Sequence, residues 1–220
     1  MAKMNKGVIV EFDFTVLNGA DILFDTAKTL LNGHGVTLDA RLEAMHLAGG
    51  NYQGAISELF GSLGISGDAL SLARELHTTF NAKVAEAAPS AITPAFRNFV
   101  RALLDNGVKV VLSTRGDAPA LAAAFGDSRV IGHAETSTTY GNCKWDAWKR
   151  ACRQNGLHEM LSTAVTGSGF GVKSALIAGM SALGVLNDHV AWQDFGGADY
   201  VVESLDKKAA DTVMRMLKVS

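Results

Sequence analysis

From Gly7 to Phe12 the chain is an apolar, β-branched run interrupted only by Glu11, the pattern of a strand buried on both faces of a parallel sheet. It opens onto a polar cluster of Glu11, Asp13 and Thr15. From Asp21 to about Ala87 apolar residues recur at helical spacing, most clearly Tyr52, Ala55, Ile56, Leu59, Phe60 and Leu63, with Gly33, Gly49, Gly50 and Gly64 as stops. This predicts about four helices and no strand. Thr93 can cap a further helix with Pro94 at its first position, and Phe96, Phe99, Val100, Leu103 and Leu104 supply its buried face up to Asn106 and Gly107. Beyond it, short β-branched runs and helical patterns alternate. Strands are expected at 108–113, 129–133, 161–166, 182–186 and 200–202, and helices at 117–125, 142–155, 171–180 and 205–217. Strands spaced by helices argue for a Rossmann-like, doubly wound parallel sheet of α/β class, formed by residues 1–17 and 90–220. The helical stretch 18–89 is then an insertion, a cap over one edge of the sheet.

The balance of charge narrows the partners. With 20 basic and 22 acidic residues among 220, the net charge is −2, so there is no sequence-wide footprint for nucleic acid or an anionic membrane. Any anion site must be local. No apolar run approaches the roughly 20 residues of a membrane span, and Met1–Lys6 lacks the apolar stretch of a signal peptide. Cys143 and Cys152 form no CxxC pair and read as free thiols on one helix, so a cytoplasmic protein is expected.

Ligands of open α/β sheets bind outside the carboxyl ends of the strands. Those ends carry Glu11 and Asp13, then Ser113, Thr114 and Arg115, then Thr166, Gly167 and Ser168. Strand alternation turns Ser113 away from Thr114. A cleft between cap and rim is the expected site. Other chemistry finds little support. The histidines at 34, 46, 77, 133, 158 and 189 lack metal-ligand spacing, there is no GxSxG elbow, and Gly167-Ser-Gly-Phe-Gly171 fits neither nucleotide-loop pattern. Trp145 and Trp148 read as packing residues, as do Tyr52 and Phe60 within the cap.

The segment Val8-Ile-Val-Glu-Phe-Asp-Phe-Thr-Val-Leu17 resembles the first motif of the haloacid dehalogenase superfamily, an apolar strand followed by Asp-x-Asp-x-Thr. The resemblance continues in Val110-Val-Leu-Ser-Thr114, in Lys144 opening a helix, and in Val165-Thr-Gly-Ser-Gly-Phe-Gly-Val-Lys-Ser-Ala-Leu-Ile-Ala-Gly-Met180. It covers nearly the whole chain, and the phosphoglycolate phosphatase and β-phosphoglucomutase branch is the most similar. The resemblance implies Glu11 as nucleophile and Asp13 as general acid and base, with both as ligands of a magnesium ion. It implies Thr114 and Lys144 as binders of phosphoryl oxygens, with Arg115 as an added cation beside them.

Departures from that pattern are equally specific. Glu11 stands in place of Asp, which moves the carboxylate by about 1.5 Å, and a displacement of about 1 Å can cost roughly 100-fold in rate. Gly167 and Gly171 stand where the family has acids, so a metal ligand is missing at 167. Phe14 replaces a glycine where backbone approach is close. Two functional classes follow. One is a magnesium-dependent phosphate monoester hydrolase with weak or lost activity; the other is an inactive protein of the same fold that binds a phosphorylated metabolite or a protein partner. Magnesium binding is expected to be weak or absent, and Glu11→Asp with Gly167→Asp is expected to restore it.

Overall fold

The computed structural model describes residues 6–47, 51–135, 144–187 and 194–219. Cys143, Gly49, Gly50 and His189 lie outside them, as does the side chain of Lys144. Six strands form one sheet: β1 (Gly7–Glu11), β2 (Lys109–Thr114), β3 (Val130–Ala134), β4 (Ser162–Thr166), β5 (Ser181–Val185) and β6 (Tyr200–Val202). Their order is β3-β2-β1-β4-β5-β6, and every pairing is parallel. The chain winds outward on both sides of β1, so the topological switch point lies between β1 and β4. Register levels the strand ends there: Glu11 pairs with Ser113 of β2, and Val10 pairs with Val165, one residue before Thr166.

The period of two along β1 explains the two cores. Val8 and Val10 face one way, into a cluster with Phe96, Phe99 and Val100 of α6 (Pro94–Asp105) and with Ala209, Ala210 and Val213 near the C-terminus. Ile9 faces the other way, against Trp148, Ala151, Cys152, Val172 and Ala175. All five residues of β1 are buried, which suits the apolar β-branched run Val8–Val10, and its one acid, Glu11, stands at the rim end. Cys152 is a free, buried thiol whose pKa burial pushes up to about 12, which makes it inert at neutral pH.

Between β1 and β2 the described residues contain helices only. They are α1 (Phe12–Thr15), α2 (Gly19–Asn32), α3 (Ala40–Leu42) running into a π turn at Glu43–Leu47, α4 (Tyr52–Leu63), α5 (Ala69–Ala87) running into a 3-10 turn at Ala88–Ala91, and the α6 already described. Local chemistry sets the ends: Asn51, Asp68 and Thr93 accept backbone N–H groups as N-caps, and Gly64 ends α4 with a φ of +65°. The α2, α4 and α5 helices bury Leu23, Leu31, Ile56, Leu59, Leu76 and Phe80 in a core of their own. After β2 come α7 (Ala118–Phe125), α8 (Lys144–Gln154), α9 (Gly169–Ala178) and α10 (Lys207–Met216). No helix among the described residues is long and apolar enough to cross a membrane.

Most element ends lie within one or two residues of the sequence reading, and two of the shifts bear on the rim. The first strand ends at Glu11 and not at Phe12, because residues 12–15 form a helical turn in which Thr15 Oγ1 donates back to the Glu11 carbonyl at 2.8 Å. The helix expected from Gly171 starts at Gly169, with the Ser168 hydroxyl accepting the Gly171 N–H at 2.9 Å.

Candidate active site

Glu11 ends β1 and Asp13 lies one turn on, in α1; both side chains are buried. Each carboxylate is engaged by the neighbouring strand. The Thr166 hydroxyl at the end of β4 donates to Glu11 Oε2. The Thr114 hydroxyl at the end of β2 donates to Asp13 Oδ1 at 2.6 Å, while the Arg115 N–H donates to Oδ2 at 2.8 Å. The Gly116 N–H in turn donates to Thr114 Oγ1 at 3.0 Å, which fixes the hydroxyl for its bond to Asp13. Burial raises the Asp13 pKa to about 6, although those two donors and the Arg115 charge pull the other way. A carboxyl that titrates near neutrality suits a group that gives and takes a proton.

Arg115 goes elsewhere than the sequence reading expects. Its guanidinium turns toward the helical layer: Nη1 donates to the Tyr52 hydroxyl, while Nη2 lies 3.8 Å from Oε1 of Glu135, just past the end of β3. Its Cζ sits 5.3 Å from the ring centre of Phe14 and 5.7 Å from those of Tyr52 and Phe80. Phe14 and Phe80 themselves stack at 5.9 Å. Three aromatic faces around one guanidinium are a cation–π box. His77 feels the same charge: burial first, and Arg115 second, hold its imidazole below the ordinary range.

Gly167 corrects a further expectation. A Cβ there would lie 2.0 Å from the Phe14 carbonyl oxygen and 3.2 Å from Asn187 Nδ2. A side chain at 167 therefore requires the loop or the helical turn of α1 to shift, so Gly167→Asp does not place a carboxylate at the rim without rearrangement. Phe14 crowds this loop with its backbone, since its ring is turned to Arg115 and Phe80. At Gly171 a Cβ would lie 2.0 Å from Thr166 Oγ1, the hydroxyl that serves Glu11. The magnesium site that the resemblance implies does not fit as the residues stand: Glu11 Oε2 and both Asp13 oxygens accept from the protein's own donors, and a side chain at 167 would meet the Phe14 carbonyl. Among the described residues, no three His, Cys, Asp or Glu side chains gather to hold a metal ion.

The structure thus brings together Glu11, Asp13, Thr114 and the Arg115 backbone, and adds Thr166, Tyr52, Phe80 and Glu135. It is Thr114, not Ser113, that meets Asp13, as alternation predicts. The backbone of Lys144 opens α8, as expected, while its side chain is outside the described residues. Thr166 stands at a strand end that the sequence reading names, without its role, and Glu135 could have been found by the same rule, since it stands just past the carboxyl end of β3. Tyr52 could not, because nothing local distinguishes its hydroxyl from a core tyrosine's.

By sequence, no family model and no curated protein matches the chain. Solved structures do. A β-phosphoglucomutase from Clostridium difficile superposes with a TM-score of 0.76 over 98% of each chain at 15% identity. CbbY from Rhodobacter sphaeroides, in complex with phosphate, gives 0.69 over 93% of this chain and 96% of its own at 16% identity. A predicted phosphoglycolate phosphatase from Haemophilus somnus gives 0.61 over 96% and 100% at 14% identity. The chain shares the fold of these proteins, a parallel α/β sheet with helices inserted after its first strand.

Proposed function

We propose that this is a protein of the phosphate monoester hydrolase type in which the acidic pair of the rim has become part of the framework, so that phosphatase turnover is weak or lost. The observation that carries this reading is the double engagement of Glu11 by Thr166 and of Asp13 by Thr114 and the Arg115 N–H, above a loop in which Gly167 has no space for a side chain. An in-line attack needs a free carboxylate oxygen within about 3–3.5 Å of phosphorus. Here Glu11 Oε2 is held by the Thr166 hydroxyl, which fixes the orientation of the carboxylate, and the longer glutamate would have to be repositioned. Asp13 retains the features of a proton carrier, which is why residual turnover is part of the reading.

In this reading residues 18–89 act as a cap and residues 1–17 with 90–220 as the core. The ligand class is a small phosphorylated metabolite, admitted to the rim when the cap lifts. Thr114, once its hydroxyl turns from Asp13, and Lys144 are the groups assigned to its phosphoryl oxygens, and Glu11 and Asp13 are the groups assigned to any residual catalysis. Among the similar structures are a β-phosphoglucomutase, a predicted phosphatase, and CbbY in complexes with phosphate and with xylulose bisphosphate, which supports the ligand class.

The test is hydrolysis of a generic aryl phosphate with excess magnesium, comparing the natural chain with Asp13→Asn. The expected rates differ by no more than a few-fold. Asp13-dependent turnover well above that of the variant would overturn the proposal in favour of a working phosphatase.

A further inference from the structure

The helical layer and the sheet hold separate hydrophobic cores. Leu23, Leu31, Ile56, Leu59, Leu76 and Phe80 pack among residues of the layer, and none of the six strands contributes to that cluster. The chain enters the layer at Gly19, where a Cβ would lie 2.2 Å from the Asp13 carbonyl oxygen, and leaves it through the 3-10 turn Ala88–Ala91. Beside that exit a Cβ on Gly116, just past β2, would lie 3.0 Å from Ala85 Cα of α5. The layer is thus tethered to the rim at both of its ends. Parts that are joined by short connections and share no large apolar core move relative to one another unless something else holds them.

What bridges the joint away from those tethers is the Arg115 side chain. Its backbone N–H is anchored on Asp13, and Phe14 and Glu135 flank the guanidinium from the rim. Tyr52 of α4 and Phe80 of α5 meet it from the layer. The guanidinium therefore lies where layer and strand ends meet, the place that a ligand of the rim has to enter. Its hold is incomplete. Three ring faces, one hydroxyl and a carboxylate at 3.8 Å engage it, while among the described residues the buried Nε has no acceptor. A bidentate carboxylate would satisfy more of its donors and release it less readily. We propose that Arg115 is a releasable clasp: with its guanidinium in the aromatic box the helical layer is shut on the rim, and when the guanidinium leaves, the layer lifts at α4 and α5 while the sheet stays folded. This rests on the reading above only in taking residues 18–89 as a layer that can lift.

Hydrogen exchange followed by NMR in Arg115→Ala tests it, with two additives: ethylguanidinium, which supplies the missing end of the side chain, and ethylurea, its neutral isostere. Amides of α4, α5 and Gly116 are expected to exchange about tenfold faster or more than in the natural chain, while those of β1 and β4 keep their rates. Ethylguanidinium should slow them again, and ethylurea should not, since ring faces and Glu135 select a cation. Unchanged exchange in a folded Arg115→Ala overturns the clasp. So does any result in which the two additives act alike, because the arginine would then be filling space. Acceleration of β1 and β4 as large as that of α4 and α5 would make layer and sheet one unit, and would overturn the lifting of the layer together with the clasp. If Arg115→Ala does not fold by circular dichroism, Arg115→Lys decides, since it keeps the charge and loses the planar fork. Faster exchange confined to α4, α5 and Gly116 then supports the clasp, and exchange as in the natural chain overturns it. Asp13-dependent aryl phosphate turnover would sink the functional reading while leaving the clasp standing.

Discussion

Asp13 carries an electrostatic cost that its partners offset only in part. Burial outweighs the Thr114 hydroxyl and the Arg115 N–H, and its pKa rises from 3.8 to about 6. A carboxyl whose folded pKa is raised stabilises the native state when protonated. The contribution is complete below pH 3.8 and is lost as pH rises through 6. Two units correspond to on the order of 3 kcal/mol. Urea unfolding of the natural chain and of Asp13→Asn should therefore show their stability difference shifting toward the natural chain as pH falls from 7 to 4. Most of the change should come below pH 6. A difference that is flat with pH would mean that Asp13 is solvated in the native state.

At the scale of elements, the connection from β4 to α9 is the tightest part of the rim. Gly167 packs on the Phe14 carbonyl of α1, and its own carbonyl accepts a bond from the Asn187 side chain at 2.8 Å. Gly167→Ala forces either the loop or the helical turn to move, at about 1–3 kcal/mol. Gly61, inside α4, has nothing within 4 Å of a built Cβ. Gly61→Ala should stabilise by up to about 1 kcal/mol, since alanine favours a helix where no contact opposes it. Chemical denaturation of the two variants side by side separates steric closure at 167 from a general intolerance of glycine replacement.

For the whole molecule, the consequential contact joins the helical layer to the sheet. Tyr52 comes from the core of that layer, yet its hydroxyl accepts from an arginine that starts at the end of β2. Tyr52→Phe leaves Nη1 of a buried guanidinium without that acceptor, a loss of about 1–3 kcal/mol. Hydrogen exchange should show where the loss falls. Amides of α4 and α5 should exchange faster in the variant than in the natural chain, while those of β1 and β2 change little, because the sheet keeps its own two cores. Equal acceleration everywhere would mean that layer and sheet unfold as one unit.

Local patterning was enough to set the elements and the fold class. The period of two in Val8, Ile9 and Val10, the helical spacing from Tyr52 to Leu63, and the caps at Thr93 and Gly64 act over a few residues, and short-range sterics and burial decide them. The strand-end rule also placed Glu11, Asp13 and Thr114 on one rim. What the tertiary structure alone decided is the chemistry between them. Glu11 meets Thr166 across 155 residues, Asp13 meets Thr114 across 101, and Arg115 meets Tyr52 across 63. The sequence marks Arg115 as one more cation at a rim and Gly167 as a lost acid. Only the packed chain turns the arginine into an aromatic box and brings a carbonyl to 2.0 Å from where an acid's Cβ would stand. Direction and free space belong to the assembled surfaces, and no periodicity along the chain encodes either.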